Sequence, residues 1–137
     1  MPKEIELAWA AGFFDGEGSI SVVQRPHRAY WYPLVQVGNK ERTPIERFRE
    51  IIGTGFIFTR RQDRFNMWIA ASKKAEHALV QIIPYLVVKR RQAQLALLAR
   101  KCYSDGRREI DLVQIGREIR TLNSKKGRRL PIPDIRE

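Results

Sequence analysis

Between residues 4 and 14 apolar positions fall almost all the way round a helical wheel. Leu7, Ala8, Ala11 and Phe14 lie to one side, with Trp9, Gly12 and Phe13 to another. That pattern predicts a helix buried on more than one side. Asp15-Gly16-Glu17-Gly18 is expected to end it, since glycine accepts the left-handed conformation of a helix C-cap. Residues 19–25 and 30–37 are β-rich runs around Pro26-His27-Arg28, which predicts a hairpin. Thr43-Pro44-Ile45-Glu46 predicts a helix start, with Thr43 as cap, Pro44 in the first turn and Glu46 closing a capping box. This helix is expected to end near Gly53. A second hairpin follows over residues 55–59 and 65–70, around Arg60-Arg61-Gln62-Asp63. In its return strand Phe65, Met67 and Ile69 are expected to face the core. Arg64, Asn66 and Trp68 are expected on the other side. Helices are predicted over residues 72–83, 89–103 and 108–122, with residues 123–137 as a basic loop and tail. The order is α-β-β-α-β-β-α plus C-terminal helices, an α+β layer with antiparallel strands and the helices segregated to one face.

Composition narrows the classes of function. The chain has 137 residues, 43% hydrophobic and 30% charged, which suits one domain over residues 1–137 rather than a disordered tail. No apolar run is long enough for a transmembrane helix. Acids inside the first apolar stretch make a secretory signal unexpected. The single cysteine, Cys102, leaves no intrachain disulfide and fits a reducing compartment. His27 and His77 are far apart in sequence, so a histidine-based metal centre is not expected. The formal charge is +11, with the basic excess concentrated in residues 86–137. This points to a polyanionic partner, DNA or RNA. An intracellular setting, the cytoplasm or nucleoid of a prokaryote or an organelle, is expected.

The most informative stretch is Ala10-Ala11-Gly12-Phe13-Phe14-Asp15-Gly16-Glu17-Gly18, followed by Ser19-Ile20. It resembles the signature motif of the LAGLIDADG homing endonucleases. Three further segments are similar to that family. Val37-Gly38-Asn39-Lys40 precedes a helix ending in Ile52-Gly53-Thr54-Gly55. Pro84-Tyr85-Leu86-Val87-Val88-Lys89-Arg90-Arg91-Gln92-Ala93 resembles its lysine-bearing segment. Leu122-Asn123-Ser124-Lys125-Lys126 resembles its late loop. The resemblance spans nearly the whole chain. Ala8, Gly12 and Gly16, spaced by four, share one helical face. Small residues there suit either a second helix backbone or tight packing on the chain's own sheet, and spacing does not choose between them.

The resemblance implies a fold with a saddle-shaped sheet and a homodimer in which two motif helices meet through Ala8, Gly12 and Gly16 about a two-fold axis. It implies metal ligation by the Glu17 carboxylate and the Gly16 carbonyl, with Mg²⁺ as the ion and Mn²⁺ as a substitute. It assigns catalytic support to Lys89 and a water-organising role to Asn39. Arg42 aligns only weakly with a basic position of the family, and Asp15 reads as structural. Counting by twos from Glu17, the outward set is Ser21, Val23, Arg25 and His27, then Arg28, Tyr30, Tyr32 and Gln36. The second hairpin adds Arg60, Arg64, Asn66 and Trp68. These side chains suit base edges in a DNA major groove. Lys125 and Lys126, with Arg128 and Arg129, are expected on phosphates. The implied activity is site-specific cutting of double-stranded DNA at a pseudo-palindromic site. Help to the splicing of intron RNA, and non-cutting regulation of DNA, are the alternatives on the same fold.

Overall fold

The computed structural model describes residues 3–24, 31–104 and 109–127. Helix α1 (Glu4–Glu17) opens with the Glu6 carboxylate accepting the Lys3 N–H at 3.1 Å. The helix runs three residues past the predicted end and passes directly into strand β1 (Gly18–Gln24). Gly18 is therefore extended, at φ −87°, and not a left-handed cap. Glycine is needed there for space. A Cβ would sit 2.5 Å from the Phe14 ring, which folds back over the junction.

Strand β2 (Trp31–Asn39) returns antiparallel to β1, pairing Gly18 with Val37 and Val23 with Tyr32. Helix α2 (Arg42–Ile52) follows. It starts two residues earlier than expected, with Glu41 at the cap position, which places Thr43 inside the helix. The Thr43–Glu46 capping box does not form. Instead Asn39 Oδ1 accepts the Glu41 N–H at 2.8 Å, while Arg42 pairs with Glu46 one turn on. Gly53 ends the helix at φ +81°.

Strands β3 (Phe56–Thr59) and β4 (Asn66–Ala71) form the second hairpin, and the sheet order is β1-β2-β4-β3. Helix α3 (Ser72–Ile82), a 3-10 turn (Ile83–Tyr85), α4 (Arg90–Ser104) and α5 (Glu109–Gly127) complete the described chain. Helix α5 continues to Gly127, where a loop was expected from residue 123. A hydrogen bond from Asn123 Nδ2 to the Ile20 carbonyl, 2.9 Å, ties its last turns to β1.

The described helices pack on one face of the sheet. Ile20, Val35, Val37 and Trp68 point into a core shared with α1 to α4. A second cluster joins Val22 and the half-buried Trp31 to α4 and α5. The α4 and α5 positions Leu95, Ala96, Ala99, Leu112, Ile115 and Ile119 are buried, while Leu98 is exposed.

Strand β4 corrects the expected faces. Asn66, Trp68 and Ala70 are buried on the helix side, and Met67 and Ile69 lie on the outer face. The register explains why. Val37, already inward on β2, pairs with Trp68, and paired residues share a face. The indole packs edge-on against Phe48 at 4.8 Å and donates its N–H to the Thr54 carbonyl at 2.9 Å. Gly55, at φ +101°, makes room for it, because a Cβ there would lie 2.1 Å from the indole nitrogen. Asn66 donates to the carbonyls of Asn39 and Lys40 and accepts from Thr59, closing the end of the sheet. Neither residue is placed to touch a ligand on the outer face. Trp68→Ala should lower stability by about 3–5 kcal/mol, the usual cost of emptying a buried aromatic site. Urea unfolding measures this directly, and a loss under 1 kcal/mol would place the indole outside the core.

Candidate nuclease centre and nucleic-acid interface

Helix α1 ends with its last carbonyls divided among different partners. The Phe14 carbonyl accepts the Gly18 N–H. The Asp15 carbonyl accepts Lys89 Nζ at 2.6 Å. Gly16 and Glu17 are exposed at the end of the helix. This end carries partial negative charge from the peptide dipoles, which favours a cation nearby. A carboxylate and a main-chain carbonyl are hard oxygen donors, the type that Mg²⁺ takes. Among the described residues no three His, Cys, Asp or Glu side chains gather as a metal cluster.

Asp15 does a separate job. Its Oδ2 accepts the Val87 N–H at 2.8 Å, and its Oδ1 accepts those of Val88 and Lys89 at 3.1 and 2.9 Å. These amides lead into α4, so Asp15 caps that helix across 74 residues of sequence. The cap and the Lys89 bond work together. The first seats the segment, and the second holds the lysine, only 2% exposed, against the end of α1. Asp15→Asn exchanges an acceptor-only group for one that also donates. It should cost about 1–2 kcal/mol of stability, the usual worth of a cap. Thermal unfolding beside the wild type measures the loss, and an unchanged midpoint would mean the cap carries no weight.

Asn39 stands at the end of β2, two residues beyond the Val37 that pairs with Gly18. Topology therefore brings Glu17, Lys89 and Asn39 to one end of the sheet. The Asn39 side-chain oxygen is occupied by the Glu41 N–H. Arg42 reaches across to Thr59 Oγ1 at 3.2 Å, within the network that holds Asn66.

Ala8, Gly12 and Gly16 face outward, which resolves the choice left open by their spacing. A Cβ built on Gly12 or on Gly16 meets nothing within 4 Å, so these glycines do not pack on the sheet. Around them Ile5 is 77% exposed and Trp9 40%, with Trp9 stacked on Phe13 at 5.2 Å. Beyond the end of α1, Val87 is 83% and Val88 56% exposed.

On the outer face of the sheet stand Ser19, Ser21 and Val23 of β1, then Tyr32, Leu34 and Gln36 of β2. Ser21, Val23, Tyr32 and Gln36 are where counting by twos puts them. Arg25, His27, Arg28 and Tyr30 lie outside the described residues, as do Arg128 and Arg129. Lys125 and Lys126 sit on the last turn of α5, and their side chains also lie outside the described set. Arg60 and Arg64 are exposed in the β3–β4 turn. Arg60 pairs with Asp63 at 2.7 Å and sits 5.0 Å over the Phe65 ring. The Phe65 N–H and then Arg60 hold the Asp63 carboxyl below its ordinary value. Arg64 takes φ +60°, closing a loop in which its N–H donates to the Arg60 carbonyl. Sequence reasoning missed Phe56, Phe58, Met67 and Ile69 on this face. The signal that finds them is the core-facing Val37, once β4 is paired beside β2.

Solved structures share this architecture. The homing endonuclease I-CvuI, in complex with a DNA target in the presence of Mg, is 22% identical with a TM-score of 0.73, over 87% of this chain and 82% of that one. The archaeal intron-encoded homing endonuclease I-Vdi141I, complexed with DNA, is 21% identical with a TM-score of 0.73, over 87% and 84%. The LAGLIDADG homing endonuclease I-GzeII, with its DNA target, is 17% identical with a TM-score of 0.63, over 85% of this chain but 43% of that longer one. The sequence matches no protein-family model and no curated protein. The chain has the LAGLIDADG homing-endonuclease fold. No described helix is long and apolar enough to cross a membrane.

Proposed function

We propose that the protein is a site-specific DNA endonuclease that works as a homodimer with Mg²⁺, Mn²⁺ serving in its place. The observation that carries this reading is the outer face of α1. Bare glycines and exposed apolar residues flank a carboxylate that stands at the helix end. Ile5, Trp9, Val87 and Val88 give this face an apolar rim that a second copy would cover. Two α1 helices packed on Ala8, Gly12 and Gly16 would bring two Glu17 carboxylates together near the axis. The longer I-GzeII chain, of which this chain matches 43%, has length for two such units.

Glu17 and the Gly16 carbonyl would hold Mg²⁺, which when bound supplies a Lewis acid and lowers the pKa of water. The chain's own residues do the rest. Lys89, held by Asp15, places positive charge beside the scissile phosphate. Asn39, beside the start of α2, helps to order water at that end of the sheet. The outer face lies along the DNA major groove, where Ser21, Val23, Tyr32 and Gln36 meet base edges. Arg25, His27, Arg28 and Tyr30 extend that set, with Arg60 and Arg64 from the other hairpin. Lys125 and Lys126 meet phosphates and carry the salt dependence of binding. The two sheets of a dimer would read two half-sites of roughly one helical turn each. The retained Glu17 favours cutting over mere regulation, since a repressor has no use for this carboxylate beside DNA.

Metal exchange on the selected site tests this reading. Chelation should abolish cutting, Mg²⁺ or Mn²⁺ should restore it, and Ca²⁺ should support binding alone. Cutting that persists after exhaustive chelation would contradict it.

A further inference from the structure

We infer that the outer face of the β3–β4 ribbon reads thymine C5-methyl groups in the DNA major groove, with Phe56 and Ile69 as its principal contacts. The inference rests on the proposed function and goes beyond it to the bases preferred. Phe56 is 63% exposed, and its ring stacks on that of Phe58 at 6.0 Å. Phe56 pairs with Ile69, and Phe58 pairs with Met67. These four side chains thus form one apolar surface across a two-stranded ribbon.

Charge and pairing give that surface its occupant. Arg60, Arg61 and Arg64 are exposed at the turn of the same ribbon, and Arg60 lies over Phe65 beside Met67. Apolar groups bordered by arginines suit a polyanion that also carries apolar groups. On the base edges of the major groove the thymine methyl is that group. The apolar surface is also continuous with polar readers. Ser19, Gln36, Ile69 and Phe56 form one cross-strand row, through the pairs Ser19–Gln36, Gln36–Ile69 and Phe56–Ile69. Strands in such a row stand about 4.8 Å apart. Glutamine reads the N6 and N7 edge of adenine, and an apolar neighbour reads the methyl of thymine. The row is therefore matched to adjacent A·T pairs.

The test uses the full chain and a duplex carrying its selected site, with Ca²⁺ present so that binding is measured without cutting. Each thymine of a half-site is replaced in turn by deoxyuridine, which removes only the methyl. Affinity should fall about fourfold at each thymine under the ribbon, the weight of one buried methyl group. Phe56→Ser and Ile69→Thr should each erase that preference at their own thymine while circular dichroism shows an unchanged fold. A site in which every deoxyuridine binds like thymine overturns the inference and leaves the endonuclease reading intact. Failure to select any specific duplex site overturns both. Self-association that Phe56→Ser abolishes, with no thymine preference, would assign the face to a protein contact and likewise overturn the inference.

Discussion

Glu17→Gln should stop cutting while leaving binding in place. The substitution keeps the size of the side chain and its hydrogen-bonding capacity but removes the negative charge that holds Mg²⁺. Its loss should exceed the 10–100-fold that removing a group behind a metal ligand typically costs. Affinity for the site should hold or rise, because a carboxylate near phosphates repels them. Glu17 is exposed, so the fold should not suffer. Lys89→Ala should slow cutting by less, since lysine assists chemistry that the carboxylate makes possible. Lys89 is buried against Asp15, so this variant needs an unfolding curve beside its rate. Single-turnover cleavage and Ca²⁺-supported binding, measured on one DNA, separate the two effects. A Glu17→Gln protein that cuts at the wild-type rate would place the metal elsewhere.

Gly12→Leu should break the dimer without disturbing the monomer. In the single chain a side chain at residue 12 has open space, and leucine suits a helix better than glycine by about 0.8 kcal/mol. Across a two-fold axis two leucines would meet where two backbones should. At about 1–3 kcal/mol for each overpacked side chain, the dimer dissociation constant should rise by about one to four decades. Sedimentation velocity over a concentration series reads this, and wild type should remain dimeric where the variant is monomeric. Equal dimerisation by both would show that α1 is not the contact.

Much of the fold was legible in the sequence because its signals are local. The apolar wheel of α1 and the β-rich runs that pair in each hairpin each point to one element. The face of β4 was not legible for a physical reason. Phe65, Met67 and Ile69 are as apolar as a core set, so alternation alone cannot say which side meets the helices. The size of the indole, its N–H and the register with Val37 decide it, and all three are tertiary. The α2 cap failed similarly. Thr43-Pro44 is a sound local signal, but Asn39 already supplies an acceptor to the Glu41 N–H and the helix starts earlier.

The candidate centre divides along the same line. Glu17 and Gly16 come from a contiguous motif and stand at the exposed helix end. The bond between Lys89 and the Asp15 carbonyl joins segments 74 residues apart, and no periodicity reveals it. The outward direction of Ala8, Gly12 and Gly16 needed the packed structure, since small residues at this spacing suit a sheet as well as a partner.

The central claim is that two copies of this chain cut both strands of one DNA site. Its most direct measurement is incubation of the wild-type protein with a random-sequence duplex library and Mg²⁺, followed by recovery and sequencing of newly formed ends. The account predicts ends from one pseudo-palindromic sequence, cut in both strands. A protein that enriches a specific site yet never cuts it, with Mg²⁺ or with Mn²⁺, would contradict the account and mark a DNA-binding regulator on this fold.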